Sequence, residues 1–193
     1  MKKFTIIMRG TSPLLMHSAQ LSDEFNPVTL AMKKITSKKT NKTEDDRWEL
    51  RRLEFAGSLY FDADLGPYIP AENIEASIAN AASLTRKGKD VKRGMKIVNA
   101  VNPLAYHGPR TIDELWAKRD EFAHFASVKV QTARVTRTRP IFREWACEAD
   151  GIYDPNVIDQ ESLESWIEKS GQLIGLGDWR PRFGTFEVTF KEH

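Results

Sequence analysis

The chain has 193 residues, of which 40% are hydrophobic and 29% charged, and its formal net charge is only +2. A chain of this size can bury one good core, so we expect a single domain with insertions rather than two domains. The one cysteine, Cys147, excludes an internal disulfide, and its place in an apolar stretch predicts a small core residue. The apolar run after Met1 is too short for a signal peptide, and no later run is long enough to span a membrane. We therefore expect a cytoplasmic protein without cofactors.

The first strand is predicted at residues 4–9, where the apolar pattern suits a strand buried largely on both faces. Residues 18–66 are then predicted to be a basic insertion that includes a β-hairpin. The hairpin pairs residues 53–60 with residues 61–69. Asp62 and Asp64 lie near the start of the second stretch, where a turn explains them better than a metal-binding pair, so no metal site is predicted.

The first half of the insertion is rich in lysine. Lys38 and Lys39 lie in a run of lysines broken only by small polar residues, at residues 33–42. One interpretation is a flexible basic arm that lies on nucleic acid, and the alternative is a solvated loop.

The first helix is predicted from Pro70 to Leu84, where apolar residues recur at helical spacing. A dense basic segment, residues 86–96, follows it and contains only one acid, Asp90. We interpret this segment as a candidate for phosphate contacts, with a solvated loop as the alternative. Its predicted contact residues are Arg86, Lys87, Lys89, Lys92 and Arg93.

A second core strand is predicted at residues 97–106, followed by a short helix that a capping box of Thr111 and Glu114 starts. Residues 127–149 form the longest β-type stretch, which Pro140 should bend.

Arg137 and Arg139 in this stretch point to one face, because strand side chains alternate. A stripe of cations on one strand face favours a contact with phosphates over mere solubility.

A second long helix is predicted at residues 162–173, and it leads into a glycine-rich loop before the last strand. The loop carries Trp179, Arg180 and Arg182, which offer a stacking face and guanidinium groups to a phosphate backbone or a base. In the alternative interpretation, Trp179 and Phe183 cover the core and Arg180 pairs with an acid. The order of strands and helices predicts an α+β fold with a ferredoxin-like (RRM-like) βαββαβ core and a large insertion after the first strand.

Three segments of the chain resemble the RAMP superfamily, the RRM-like proteins that form the RNA-binding backbone of CRISPR effector complexes. They are Ser12-Pro13-Leu14, the run from Tyr68 to Ala76, and the glycine-rich run from Gly175 to Phe186. The run from Arg137 to Phe142, together with the loop, is also similar to small uncharacterised phage-encoded proteins.

The resemblance implies one RAMP-like domain over residues 1–193 in the cytoplasm of a bacterial or phage-infected cell. It also implies single-stranded RNA or DNA as the partner, with self-association or CRISPR-type proteins as further partners. Some family members cleave RNA with an aspartate after the first strand, and Asp23 lies in the corresponding region.

The leading hypothesis is a non-enzymatic protein that binds single-stranded nucleic acid and assembles along the strand. A first alternative is a metal-free RNA endonuclease that uses His17, His107 or His124. A second alternative is a structural or inhibitory protein-interaction module that imitates a CRISPR effector subunit.

Overall fold

A computed structural model describes residues 1–38, 42–130 and 133–193 of the chain. Within these ranges the chain forms ten β-strands and seven α-helices. The strands are β1 (Lys2–Gly10), β2 (Leu14–Leu15), β3 (Phe61–Asp62), β4 (Gly66–Pro70), β5 (Met95–Ile97), β6 (Val101–Ala105), β7 (Ala123–Val130), β8 (Ala133–Phe142), β9 (Ala146–Tyr153) and β10 (Phe186–Glu192). The helices are α1 (Pro27–Thr36), α2 (Glu44–Ser58), α3 (Ala71–Ser83), α4 (Gly88–Gly94), α5 (Ile112–Ala117), α6 (Arg119–Phe122) and α7 (Gln160–Lys169). A π-helical turn, Ser170–Ile174, continues α7.

The residues fall into two compact units that interleave along the chain. The first unit comprises Met1–Leu14, Phe61–His107 and Phe142–His193. The second unit comprises Leu15–Tyr60 and Gly108–Ile141, so it consists of two separate insertions into the first.

The first unit contains an antiparallel sheet with the order β10-β1-β9-β6-β4-β3, in which β5 also pairs with β9. The central strand β1 pairs along its length with both β10 and β9. Its alternate residues Phe4, Ile6 and Met8 are fully buried, and α3 and α7 contact strands of the same sheet. The intervening β1 residues are partly or fully exposed, so one face of the sheet is apolar and the other is open.

The second unit contains α1, α2, α5 and α6 and a three-stranded sheet of order β2-β8-β7. Helix α2 begins with a capping box in which Thr43 and Asp46 exchange hydrogen bonds between side chain and backbone. A second N-cap forms at Thr111, whose hydroxyl accepts from the N–H of Glu114 and donates to its carboxylate. This confirms the predicted helix start at Thr111.

The structure confirms an α+β fold with an antiparallel sheet, but it corrects several predicted elements. The strand predicted at residues 97–106 is divided into β5 and β6, and β1, predicted to be buried largely on both faces, is buried on one. Residues 53–60, predicted as a hairpin strand, include the last turns of α2, and the hairpin is only Phe61–Asp62 with Gly66–Pro70. The predicted single strand at residues 127–149 is divided among β7, β8 and β9, and β9 belongs to the other unit. Asp62 accepts hydrogen bonds from the N–H groups of Asp64 and Leu65, which confirms the predicted turn.

No helix in the described ranges is both long and apolar enough to cross a membrane.

The buried thiol of Cys147 should be chemically inert in the folded protein. Burial raises its pKa to about 12, so at pH 8 only about one thiol in ten thousand is ionised. A thiol reagent such as a maleimide should therefore react with Cys147 only after unfolding in denaturant. Because the unfolded thiol ionises near its ordinary pKa and the folded thiol does not, the free energy of unfolding should also fall between pH 9 and pH 12. Rapid labelling of the native protein at pH 8 would contradict this.

Candidate nucleic-acid interface

The glycine-rich loop, residues 175–185, joins the π-helical turn to β10 and closes on itself. Gly175 has φ 80° and ψ 178°, a backbone conformation available essentially only to glycine. The N–H of Leu176 donates to the carbonyl of Gly184 at 2.8 Å, and a Cβ on Gly184 would collide with the Leu176 backbone. The loop therefore needs glycine at both ends, as the sequence pattern indicated.

The loop is anchored to the end of β1. The hydroxyl of Ser12 accepts hydrogen bonds from the backbone N–H and the hydroxyl of Thr185, at 2.9 and 2.8 Å. The N–H of Gly184 donates to the carbonyl of Pro13 at 2.8 Å. At the other end of the loop, the buried hydroxyl of Ser77 in α3 donates to the carbonyl of Gly175 at 2.9 Å. The structure thus brings the Ser12-Pro13 segment and the glycine-rich loop together. Ser77 of α3, which directly follows the Tyr68–Ala76 segment, contacts the same loop.

The aromatic tip of the loop lies outside the core. Trp179 is 45% exposed, has φ 56°, and stacks on Phe183 with ring centroids 6.1 Å apart. The carboxylate of Asp178 accepts from the N–H of Trp179 at 3.0 Å, which helps to hold this conformation. The alternative interpretation, in which Trp179 covers the core, is wrong.

Arg180 and Arg182 flank Pro181 on the same exposed tip. Neither guanidinium forms an ion pair with any residue in the described part of the chain, so the predicted alternative of an acid partner for Arg180 is not found there. Two free guanidinium groups beside an exposed indole ring can meet phosphates and a base together.

The basic segment 86–96 forms the end of the α3 region and helix α4, and its cations are exposed. Asp90 pairs with Arg93 at 2.6 Å and with Lys87 at 3.2 Å. The hydrogen bonds from Arg93 and then Lys87 hold the pKa of Asp90 below its ordinary value. The other predicted contacts of this segment have no ion pair within the described ranges; they are Arg86, Lys89 and Lys92.

The loop and the basic segment approach different parts of α3. Ser77 holds the loop near the middle of the helix, and the basic segment begins beyond Leu84. Seven residues of α-helix separate these points by about 10 Å. The two patches therefore lie in one unit as separate areas rather than as one cluster.

Arg137 and Arg139 lie on β8 in the second unit, and both are half-buried. The Arg137 guanidinium forms an ion pair of 2.5 Å with Glu54, whose side chain is only 4% exposed. The other carboxylate oxygen of Glu54 accepts from the N–H of Thr138 at 3.0 Å. Arg137 therefore neutralises a buried carboxylate in this structure, which gives the cation a structural role that the strand pattern did not predict.

The lysine-rich stretch is only partly described. Lys34 lies in the last turn of α1, and Lys38 is exposed and pairs with Asp46 at 2.7 Å. The hydrogen bond from Lys38 lowers the pKa of Asp46. Lys39 lies outside the described residues.

The weak catalytic candidates occupy ordinary structural positions. Asp23 is exposed and accepts from the N–H of Phe25 at 2.9 Å, as in a turn. His17 is exposed, and its carbonyl accepts from the Tyr60 hydroxyl at 3.4 Å. His107 belongs to the first unit, whereas His17 and His124 belong to the second. Among the described residues, no group of three or more His, Cys, Asp or Glu side chains is arranged to hold a metal ion.

The sequence pattern did not identify a cluster of aromatic and arginine side chains on α2, α5, α6 and β7. Its members are Trp48, Arg51, Trp116, Arg119 and Phe125. A usable signal was present, since Trp-x-x-Arg occurs at both Trp48 and Trp116. Within α2 this spacing places Trp48 and Arg51 on one helical face.

A Gly184→Ala substitution should destabilise the first unit. The new Cβ would collide with the Leu176 backbone and force a residue with a side chain to keep φ at 75°. We expect a loss of at least about 1–3 kcal/mol in the free energy of unfolding, measured by chemical denaturation. Thr189→Ala, at an exposed position of β10, is the control and should change stability by less than about 0.5 kcal/mol. Equal stability of the two variants would contradict the described loop.

A Glu54→Leu substitution should destabilise the second unit by about 2–3 kcal/mol. It removes the partner of Arg137 and leaves the Thr138 N–H without an acceptor, but Arg137 is 40% exposed and regains some water. The double variant Glu54→Leu, Arg137→Leu should lose less than the sum of the single variants, because no unpaired charge remains. Strict additivity in denaturation experiments would show that the ion pair contributes nothing.

No protein-family model matches the sequence, and no curated protein matches it either. The chain is similar in fold to a chain of the cryo-EM structure of the Type III-B Cmr-beta bound to cognate target RNA. The TM-score is 0.54 at 10% sequence identity, and the match covers 99% of this chain and 61% of that chain. The present chain thus spans less than two thirds of its structural neighbour. At this identity the likeness concerns the fold alone.

Proposed function

We propose that this chain is a non-enzymatic protein that binds single-stranded nucleic acid through the tip of its glycine-rich loop. RNA is the first ligand to test, because the structural neighbour was determined with RNA bound. In this proposal Arg180 and Arg182 contact phosphates and Trp179 stacks on a base or braces the loop. The basic segment 86–96 extends the contact along the strand.

One observation carries the proposal. Two guanidinium groups without acid partners in the described chain stand beside an exposed tryptophan, on a loop that is fixed by hydrogen bonds at both ends. A loop that is already ordered loses little conformational entropy when a ligand binds. A surface tip that served only solubility would not need glycine-only conformations and a buried serine anchor.

The fold supports the proposal at a general level. We propose that the first unit contains a ferredoxin-like core, whose elements in chain order are β1, α3, the β5–β6 stretch, β9, α7 and β10. The reason is that the strand order β10-β1-β9-β6 and the antiparallel pairing are those of a βαββαβ sheet. In this view both units belong to one RAMP-like domain over residues 1–193, with the region 18–66 as an insertion. Assembly along a strand or with CRISPR-type proteins is part of the same proposal.

The open face of the sheet is a less suitable binding surface than the loop. RRM-type proteins stack bases on aromatic side chains of the central strands. At the open-face positions of β1, β9 and β10, all within the described ranges, the residues are Lys3, Thr5, Ile7, Arg9, Ala146, Glu148, Asp150, Ile152, Glu187, Thr189 and Lys191. None is aromatic, and the three carboxylates balance the three cations.

The double variant Arg180→Ala, Arg182→Ala should bind single-stranded RNA more weakly at every salt concentration. Two phosphate contacts contribute about 0.7 each to the slope of log K against log salt, so the slope should become shallower by about 1.4. Fluorescence anisotropy with a labelled oligonucleotide in a potassium chloride series measures both effects. The melting temperature should change little, because both side chains are exposed.

The matched control is Lys3→Ala, Lys191→Ala, which removes the same charge from the open sheet face. It should leave the salt slope close to that of the unmodified protein. The opposite result, a shallow slope for the sheet variant and a normal slope for the loop variant, would assign binding to the sheet. Co-purification with a protein and no binding of RNA or DNA at low salt would favour the protein-interaction module instead.

A further inference from the structure

Five side chains of the second unit form a ladder in which aromatic rings and guanidinium groups alternate. The Arg51 guanidinium lies over the rings of Phe125 and Trp48, 5.3 and 5.0 Å from their centroids. The Arg119 guanidinium lies over the rings of Trp48 and Trp116, at 5.3 and 5.8 Å. The order along the ladder is Phe125, Arg51, Trp48, Arg119, Trp116, and the rings of Phe125 and Trp48 also meet edge to face with centroids 6.4 Å apart. Four separate elements of the unit contribute to the ladder.

The ring faces hold these two guanidinium groups in place, but no carboxylate of the described chain pairs with them. The neighbouring Arg52 is different, because it pairs with Asp113 at 2.7 Å and with Glu49 at 3.4 Å. The hydrogen bond that Arg52 donates to Asp113 is the main cause that raises the pKa of Arg52. The N–H donors of Arg51 and Arg119 therefore remain available to a ligand, whereas those of Arg52 are largely used.

A cleft of about 390 Å³ opens beside the ladder, and we call it the Trp48 cleft. Its volume lies at the lower end of the range for small-molecule sites, which suits a ligand as large as one nucleotide. The lining residues are Asp45, Trp48, Glu49, Arg52, Trp116 and Arg119.

The Trp48 cleft offers both kinds of hydrogen-bonding group around two indole rings. Arg119 donates, and the carboxylates of Asp45 and Glu49 accept, with one oxygen of Glu49 also accepting from Arg52 at 3.4 Å. The side chains of an acidic peptide bring only acceptors, and their negative charges would be repelled by the two carboxylates. A nucleobase with an exocyclic amine brings donors and acceptors on one planar edge, and its faces can stack on aromatic rings or on guanidinium planes.

We propose that the Trp48 cleft binds one unpaired nucleotide whose base carries an exocyclic amine, with guanine the best fit. The carboxylates of Asp45 and Glu49 accept from the N1–H and amino groups of the base, and Arg119 donates to its phosphate or to the carbonyl edge of the base. The proposal rests on the proposed function for the source of the nucleotide, which is an unpaired residue of a bound strand. It can be tested without the strand, because the cleft belongs to the second unit and the glycine-rich loop to the first.

The test is a calorimetric titration of the full chain with GMP, and with UMP, whose base has no exocyclic amine. GMP should bind saturably and roughly 5- to 150-fold more tightly than UMP, the range for one good bidentate contact to a base. The double variant Asp45→Asn, Glu49→Gln should reduce this preference. A Trp48→Ala substitution should weaken GMP binding by roughly 5- to 150-fold.

Because Trp48 lies in the ladder, its variant is checked for an unchanged circular dichroism spectrum, and Arg119→Lys provides a second probe. Lysine keeps the charge but lacks the planar fork, so Arg119→Lys should also weaken GMP binding. The control is Lys3→Ala, Lys191→Ala on the open sheet face of the first unit, which should leave GMP binding unchanged.

Absence of saturable GMP binding overturns the proposal, and so does equal affinity for GMP and UMP. Binding of hexaglutamate without binding of GMP also overturns it and assigns the cleft to an acidic protein partner. For the unmodified protein, GMP binding without oligonucleotide binding counts against the loop alone, whereas oligonucleotide binding without GMP binding counts against the cleft alone.

Discussion

The hydrogen bonds between Ser12 and Thr185 are the constraint on which the candidate interface depends. They join the segment that directly follows β1 to the last residue of the glycine-rich loop, so the loop leaves the sheet at a fixed point. The close approach at Gly184 permits no side chain there, and Ser77 fixes the opposite end of the loop. The loop that carries Arg180 and Arg182 is thus fixed by hydrogen bonds to the segment after β1 and to α3. A strained, fixed loop is the kind of local structure that accompanies binding sites, because order in the free protein lowers the entropy cost of binding.

The features that the sequence predicted correctly depend on local patterns. Alternation identified β1, helical spacing identified α3 and α7, and the glycines marked the loop. Each of these signals lies within one stretch of chain, where the period of the apolar residues reports which face is buried. The turn at Asp62 and the helix start at Thr111 were predictable for the same reason, because a side chain that bonds its own neighbouring backbone needs no distant partner.

The features that the sequence did not predict depend on partners far away along the chain. Residues 53–60 include the end of a helix because Glu54 and Phe55 are buried against other parts of the second unit, which a short apolar run does not reveal. Arg137 had the alternation of an exposed stripe, but its partner Glu54 lies more than eighty residues earlier. The division of residues 127–149 between two units also depends on which strands pair. The resemblance to the RAMP superfamily located the loop and its anchor, whereas the ladder around Trp48 lies outside the motifs that carry that resemblance.

The position of β1 has a consequence for how the chain acquires its structure. Both neighbours of this strand, β9 and β10, come from the last quarter of the sequence, so their pairing with β1 closes loops of more than 130 residues. Contacts at such separation form slowly, because the entropy of loop closure is lost before the pairing stabilises the chain. During synthesis from the N-terminus, β1 remains without its sheet neighbours until the residues of β9 and β10 have left the ribosome. An apolar strand that waits in this way is the segment of the nascent chain most in need of protection from aggregation.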